Sequence, residues 1–508
     1  MSLSRWHVGV LLAVALVVAT SGLVYELLAG TLASYYIGSG VIGFSTTIGV
    51  YLFALGIGSW LSRRIADPVA PRFIAVEWTV ALLGGAMAPA VELAFAWAEH
   101  AAVLLYVLLF VVGMLVGLEI PLLMRLLKHD LRFEDVVARV LAFDYLGALV
   151  GALAFALLLV PWLGTTRTSL ALGLLNAVAG FAALAVLRAQ LGPRATRRLG
   201  AQGLLVAAVL VAGLFGAARI TRWAEAGTYA GVILWNERSA YQQITVTAAE
   251  GGVQLFLNGQ LQVHSGDEYR YHEALVHPAL ALAHRRARAL VLGGGDGLAV
   301  RELLRDPAIR EVVLVELDPA VTSLARRLPA LRELNGGALD DPRVRIVHDD
   351  AMVWLEARSS AAAPFDVVIA DFPDPNDFAT GKLYTTRFYR LVRRAMHDRS
   401  VLVVQATSPL HARRSFWCIE RTIRDVGLHT RPYHVHVPSF GAWGFVLATP
   451  WPAPQPERLR VGGLRYLDEA TLRAAFVFPP DMGPVPVEPN RLHDQMLVHY
   501  YAAEWGGG

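Results

Sequence analysis

At 508 residues the chain is too long for one ordinary domain, and about 150 residues per domain suggests three units. Hydrophobic residues make up 55% and charged residues 17%, far from a soluble average in which about a quarter are charged. A net charge of +3 carries no nucleic-acid signal, and the single cysteine, Cys418, excludes an intramolecular disulfide framework and a cysteine-based zinc cluster.

Residues 1 to about 218 are mostly long apolar runs, whereas the Asp-rich motifs and most histidines come later. A spanning helix needs about 20 mostly apolar residues. Seven runs qualify, near 8–30, 40–61, 72–97, 100–124, 140–163, 167–187 and 201–218. The first is too long for a signal peptide and reads as an uncleaved helix. Gly56, Gly58, Gly147 and Gly151 suit close helix packing in lipid.

Arg and Lys concentrate in alternate loops: Arg63, Arg64 and Arg72, then Arg125, Lys128 and Arg132, then Arg188, Arg194, Arg197 and Arg198. Basic loops stay in the cytoplasm, so the N-terminus is expected there too. Seven passes then put the rest of the chain outside. Glu26, Glu77, Glu92, Glu119 and Asp144 lie within or beside the spans. They read as a cavity for a cationic compound, or as interfacial acids or partners of Arg125 and Arg139.

Next comes a small antiparallel segment. Gln243-Ile-Thr-Val-Thr and Val253-Gln-Leu-Phe-Leu alternate polar with apolar, and Asn258-Gly259 is a tight-turn dipeptide. Asp267-Glu268 and Tyr271-His272-Glu273 then open a predicted helix, which could form one wall of a site or merely its cap.

Ala289–Leu292 is a short apolar run typical of a buried parallel strand. Gly293-Gly-Gly-Asp-Gly297 follows, and a helix begins. These glycines permit a tight turn and close ligand approach, but their spacing is not that of a dinucleotide fingerprint. Asp296 would repel a pyrophosphate and suits a cationic ligand. Further strands end in Glu316, in Asp349-Asp350-Ala351 and in Asp371, and a fifth covers 401–405. Four successive strand-end acids mark a nucleoside site without phosphates, as a sulfonium nucleoside would need. The fold class is therefore a multi-spanning α-helical membrane domain (1–220), a small β subdomain (229–275) and an α/β Rossmann-type, methyltransferase-like domain (276–508).

These segments resemble the spermidine synthase (polyamine aminopropyltransferase) family from about Ser239 to Phe445. The matching pieces include Ser239-Ala-Tyr-Gln242, Asp267 to Glu273, Gly293 to Gly297, Glu316-Leu-Asp318, Asp350-Ala351, Asp371-x-x-Asp374-Pro375 and Leu383-Tyr384. The N-terminal half is similar to the membrane-fused variants. The resemblance implies aminopropyl transfer from decarboxylated S-adenosylmethionine to putrescine, with that nucleoside as co-substrate and no prosthetic group or metal. It implies that Gln242, Gly293, Gly295, Asp296, Glu316, Asp350 and Ala351 bind the nucleoside. Within that set Glu316 takes the ribose hydroxyls, Asp350 the adenine amino group and Asp296 the aminopropyl ammonium. It further implies that Tyr271, His272, Asp374 and Tyr384 serve the amine, and that Asp371 is catalytic. Two other readings stay open: a methyltransferase using S-adenosylmethionine, and a non-enzymatic polyamine-binding transporter or sensor.

The pattern departs from the family at Asn258, where Asp is usual, and along Asn376 to Lys382, where Phe378 replaces a proline. Residues 451–490 are Pro-rich and read as an irregular cover, and Asn490 to Trp505 as a closing helix whose Tyr500, Tyr501 and Trp505 pack. The expected partners are a polyamine, a nucleoside sulfonium and membrane lipid, with homo-oligomerisation left open and no nucleic acid. The expected place is the cell membrane. A cytosolic co-substrate asks for a cytoplasmic catalytic domain, against the charge count with seven helices.

Overall fold

The computed structural model describes residues 4–36, 40–98, 100–128, 131–229, 231–249, 251–359 and 361–505. The chain falls into two compact units, Met1–Ala230 and Gly231–Gly508.

The first unit is helical throughout, so each long apolar run satisfies its own backbone hydrogen bonds. Its helices are α1 (Arg5–Tyr36), α2 (Gly40–Ser62), α3 (Val69–Trp97), α4 (Ala101–Leu127), α5 (Phe133–Ala154), α6 (Val160–Leu191) and α7 (Pro193–Thr228), with a π-helical turn, Phe155–Leu159, joining α5 to α6. By length and composition six segments can cross a membrane, one of them the 59-residue stretch Phe133–Leu191. Unbroken, that stretch would be about 90 Å long, against a hydrocarbon core of about 30 Å. Gly164 breaks it at φ 73°. The Thr168 hydroxyl then donates to the Leu159 carbonyl at 3.1 Å. Nine residues of continuous helix would hold those groups about 13 Å apart, so the chain reverses at Gly164. Seven helices, at the places of the seven apolar runs, are therefore present among the described residues.

Contact registers give each helix its direction. Leu16 meets Gly147 and Thr20 meets Gly151, so α1 and α5 run parallel. Gly22 meets Tyr51 and Gly30 meets Phe44, so α2 opposes α1. Ala54 meets Gly113 and Ser59 meets Gly117, so α4 runs with α2. Trp78 meets Gly180 and Gly84 meets Ser169, so α3 opposes α6. Trp78 also meets Gly203, and Gly85 meets Leu210, so α7 runs with α3. Tyr25 meets Gly84 and Tyr36 stacks on Phe95, so α3 runs with α1; the seven helices thus alternate, and α7 ends on the face opposite Ser4. A Cβ at Gly58 would stand 2.0 Å from the Met114 carbonyl and one at Gly117 2.3 Å from that of Leu55. Gly56, by contrast, has nothing within 4 Å of its Cβ position.

Glu77 and Glu119 are buried, and their carboxylates have no hydrogen-bond partner among the described residues. Arg125 does not serve Glu119; it donates to the Ser62 and Ile65 carbonyls and pairs with Asp67 at 3.2 Å. Glu92 accepts from the hydroxyls of Thr165 and Thr166.

The second unit opens with an antiparallel sheet of β1 (Val232–Arg238), β2 (Gln243–Ala249), β3 (Gly252–Leu257) and β4 (Gln260–His264), paired in sequence order. Asn258 and Gly259 both have positive φ at the β3–β4 turn, as a two-residue hairpin demands. Helix α8 (Glu268–Leu282) follows and runs unbroken through position 275, burying Ala274, Leu275 and Ala279 against the larger sheet.

That sheet contains β5 (Arg288–Gly293), β6 (Glu311–Glu316), β7 (Val344–His348), β8 (Phe365–Asp371), β9 (Met396–Gln405), β10 (His429–Val437) and β11 (Gly441–Thr449), in the order β10-β11-β9-β8-β5-β6-β7. The five strands β7, β6, β5, β8 and β9 are parallel, while β11 and β10 close one edge antiparallel. Helices α9 (Leu298–Leu304), α10 (Pro319–Arg327), α11 (Pro329–Leu334), α12 (Ala351–Ala357), α13 (Phe378–Gly381), α14 (Thr386–Arg394), α15 (Arg413–Asp425), α16 (Glu469–Ala475) and α17 (Met496–Trp505) complete the unit. Cores on both faces, around Leu290 and Leu292 and around Val291 and Leu314, account for the nearly continuous apolar strands. Strand order reverses between β5 and β8, the switch point where open α/β sheets bind ligands, and there Gly293 pairs with Asp371.

Candidate active site

At the carboxyl ends of these strands lies a cavity of about 630 Å³. Gln242, Tyr271, His272, Gly293, Gly295, Asp296, Glu316, Asp350, Ala351, Asp371 and Asp374 all line it. Residues from Gln242 to Asp374 in sequence thus converge on one volume. Tyr384 is the exception among the expected residues. It is fully buried behind the wall, where its hydroxyl donates to the Pro373 carbonyl at 3.0 Å and accepts from Gln405. It braces the Asp374 loop.

The nucleoside side is built from strand ends. Glu316 closes β6, and its two oxygens accept from the backbone N–H groups of Asp318 at 3.0 Å and Gly295 at 3.1 Å. Burial pushes its carboxyl up to about 7, with Asp296 and Asp318 adding repulsion against those two bonds. A Cβ on Gly295 would lie 2.8 Å from Glu316, so only glycine fits. Asp350 caps α12 with one oxygen and holds Lys382 at 2.5 Å with the other. Burial would raise the Asp350 carboxyl, but Lys382 and the cap bonds hold it below its usual range. Gln242 donates to Asp318 at 3.1 Å.

The other side surrounds Asp371. Tyr271 donates to its Oδ1 at 2.6 Å. Burial, with Asp296 adding to it, pushes the Asp371 carboxyl up to about 6, against the cation of His272 and the Tyr271 bond. Burial alone would lower His272, but its hydrogen bond to Glu268 at 2.9 Å and that carboxylate's charge lift it to about 9. Asp374 accepts from Gln405 at 3.2 Å, Thr407 at 2.8 Å and Tyr501 at 3.0 Å. Burial raises Asp374, and these three donors hold it down.

Gln405, Tyr501, Trp505 and Lys382 also line the cavity; Tyr501 and Trp505 were expected only to pack, and Gln405 and Lys382 were given no role. Gln405 carried the usual signal, a polar residue ending a parallel strand. Tyr501 carried none, because its helix reaches the cavity only through tertiary packing.

Six carboxylates, at 296, 316, 350, 371, 374 and 377, thus face the cationic groups of His272 and Lys382. Such a cavity attracts an organic polycation and repels phosphate. Residues 268–454 match the Spermine/spermidine synthase domain. Over 499 residues the chain is 47% identical to polyamine aminopropyltransferase 2 of Ralstonia nicotianae, covering 97% of each protein. It is 45% identical to the polyamine aminopropyltransferase of Leptospira interrogans, covering 96% of this chain and 97% of that one. The chain belongs to the polyamine aminopropyltransferase family. The crystal structure of Thermotoga maritima spermidine synthase is also similar, at 27% identity and a TM-score of 0.45, over 49% of this chain and 85% of that one. The match to the Ralstonia protein runs through both units, so this aminopropyltransferase shares its helical unit with that relative.

Proposed function

We propose that the protein transfers an aminopropyl group from decarboxylated S-adenosylmethionine to putrescine, giving spermidine and methylthioadenosine. The observation that carries this reading is the buried Tyr271–Asp371 pair in a cavity lined by carboxylates. The neutral amine nitrogen attacks the aminopropyl carbon next to the sulfonium. The carbon–sulfur bond breaks, its electron pair stays on sulfur, and a neutral thioether leaves. The electrophile is already activated, so the protein's task is to deprotonate and aim the amine.

An alkylammonium has a pKa near that of lysine, about 10, and must lose a proton before attack. Asp371 accepts it, and Tyr271 fixes which carboxylate oxygen faces the amine. Asp374 holds the far ammonium. Asp296 takes the aminopropyl ammonium, Glu316 the ribose hydroxyls, and Asp350 the adenine amino group in exchange for Lys382. His272 holds a positive charge beside Asp371 and Asp296, and that charge opposes the effect of burial on the Asp371 carboxyl. Gly293, Gly295, Gln242 and Ala351 shape the nucleoside side.

The test is purified full-length protein given both substrates. Equal release of methylthioadenosine and spermidine is expected. No release, or a methylated product from S-adenosylmethionine, overturns the reading.

We also propose that the seven helices lie in the lipid of the cell membrane with the Arg-rich loops on the cytoplasmic face. Because the passes alternate, α7 leaves the bilayer on the opposite face. The expectation of a cytoplasmic catalytic unit needed one helix to be miscounted, and the alternation of the helices lends that no support.

A further inference from the structure

Helix α17 lies beyond the residues that match the family domain, which end at 454. Yet Tyr501 and Trp505 of this helix line the cavity, and the Tyr501 hydroxyl donates to Asp374 at 3.0 Å. The helix is anchored at both ends. Glu504 accepts from the backbone N–H groups of Arg414 at 2.6 Å and Ser415 at 3.0 Å, and so caps α15. Just upstream, Asn490 donates to the Gly381 carbonyl at 3.1 Å and accepts from the Thr386 amide at 2.9 Å.

The surface that receives α17 is the loop that follows Asp374. Phe378 packs edge-on against His499 with ring centroids 6.0 Å apart. A Cβ on Gly381 would stand 2.5 Å from Val498 and 2.6 Å from the Gln495 side-chain oxygen. The loop and the helix are thus two halves of one contact.

A third feature points the same way. Thr407 is a buried β-branched residue at φ 57°, a backbone conformation such residues rarely adopt. It is held there by the Gly444 amide donating to its carbonyl at 2.8 Å and by its own amide donating to Gln405 at 3.0 Å. The strained backbone aims the Thr407 hydroxyl at the same Asp374 oxygen that Tyr501 reaches.

We propose that α17 is the acceptor-side wall of the active site and makes the protein select a short diamine. Tyr501 is a positioning residue for Asp374, and Trp505 stands where the extra aminopropyl arm of a longer polyamine would extend. This inference rests on the aminopropyl-transfer reading. Asp374 needs its donors to remain ionised in a buried place, and an ionised Asp374 is what grips the far ammonium. Removing one donor therefore weakens the acceptor and leaves the nucleoside alone.

The experiment is steady-state kinetics of the full-length protein in lipid nanodiscs, varying donor and acceptor separately. Tyr501→Phe should raise KM for putrescine about tenfold, with KM for decarboxylated S-adenosylmethionine and kcat unchanged. Trp505→Ala should raise kcat/KM for spermidine relative to putrescine by about tenfold. Should the variants fold poorly, hydrogen exchange of the wild type serves: putrescine added with methylthioadenosine should slow exchange across 496–505. The inference is overturned if both KM values rise together, if the ranking of acceptors stays the same, or if that exchange is unaffected. A wild type that releases no methylthioadenosine overturns the activity instead.

Discussion

Tyr271 donates a 2.6 Å hydrogen bond to Asp371 from a position one hundred residues away in sequence. The bond joins the first helix of the catalytic unit, α8, to the end of β8 at the switch point of the sheet. It stabilises the ionised carboxylate, and a hydrogen bond to a charged group is worth about 1.5–3 kcal/mol. Tyr271→Phe should therefore move the acid limb of the kcat/KM profile upward by about one to two pH units. Rates measured between pH 5 and 9 would check this, and an unmoved limb would show that Tyr271 does not tune Asp371.

Asp371→Asn removes the proton acceptor while keeping the shape. Loss of a positioned base typically lowers kcat by about 10²–10⁴-fold. Stability should move the other way. The Asp371 carboxyl lies near 6 in the fold, above the unfolded value of about 4. Its contribution is full below pH 4 and is lost as pH rises through 6, so at pH 8 the buried charge costs up to about 3 kcal/mol. Asparagine avoids that cost. The variant's thermal midpoint should exceed the wild type's at pH 8, and the gap should close near pH 4. A lower midpoint at both values would mean that the variant is damaged rather than disarmed.

The contrast between Asp371 and Tyr501 shows what the sequence made legible. Asp371 ends an apolar strand, and strand-end acids in an α/β sheet converge whatever the loops do. Glu316, Asp350 and Asp296 could be read by the same rule. Tyr384 could not, because adjacency to a motif does not say which face a side chain takes, and it points behind the wall. Tyr501 was equally opaque, since an aromatic on a closing helix packs far more often than it lines a site. In the helical unit the apolar runs were plain, but the fate of Glu119 was not: Arg125, close to it in sequence, turns to Asp67 instead.

Glu268 lies between two cations, 2.9 Å from His272 and 2.9 Å from Arg301. Arg301 continues to Glu302, which accepts from His277 at 2.8 Å. Glu268→Gln should destabilise the protein by about 3–5 kcal/mol, because it leaves buried charges unpaired. The size should depend on pH. His272 is raised to about 9, so its pairing with Glu268 contributes fully below pH 6.5 and is lost as pH rises through 9. Denaturant titrations should thus show a wider gap between wild type and variant at pH 6 than at pH 10. An equal gap at both would show that Arg301 alone accounts for the role of Glu268.

The last prediction concerns sidedness. Basic residues crowd one face of the helical unit, at Arg63 and Arg64, Arg125 and Lys128, Arg132, Arg188, and Arg194 to Arg198. The turn at Gly164 and the end of α7 lie on the other face and carry Arg167, Arg219 and Arg222. Lys and Arg in short loops set orientation, so the crowded face belongs in the cytoplasm and a reporter fused after Trp505 should lie outside it. Alkaline phosphatase placed there should be active, and a fluorescent protein that folds only in the cytoplasm should stay dark. The sulfonium donor would then have to reach that face, which makes its delivery a condition of activity in the cell. The reverse result would mean that one of the seven helices does not cross. The first to examine is α1, which places Glu26 within its span, and a cysteine at Ser4 tested with an impermeant thiol reagent would show on which side it begins.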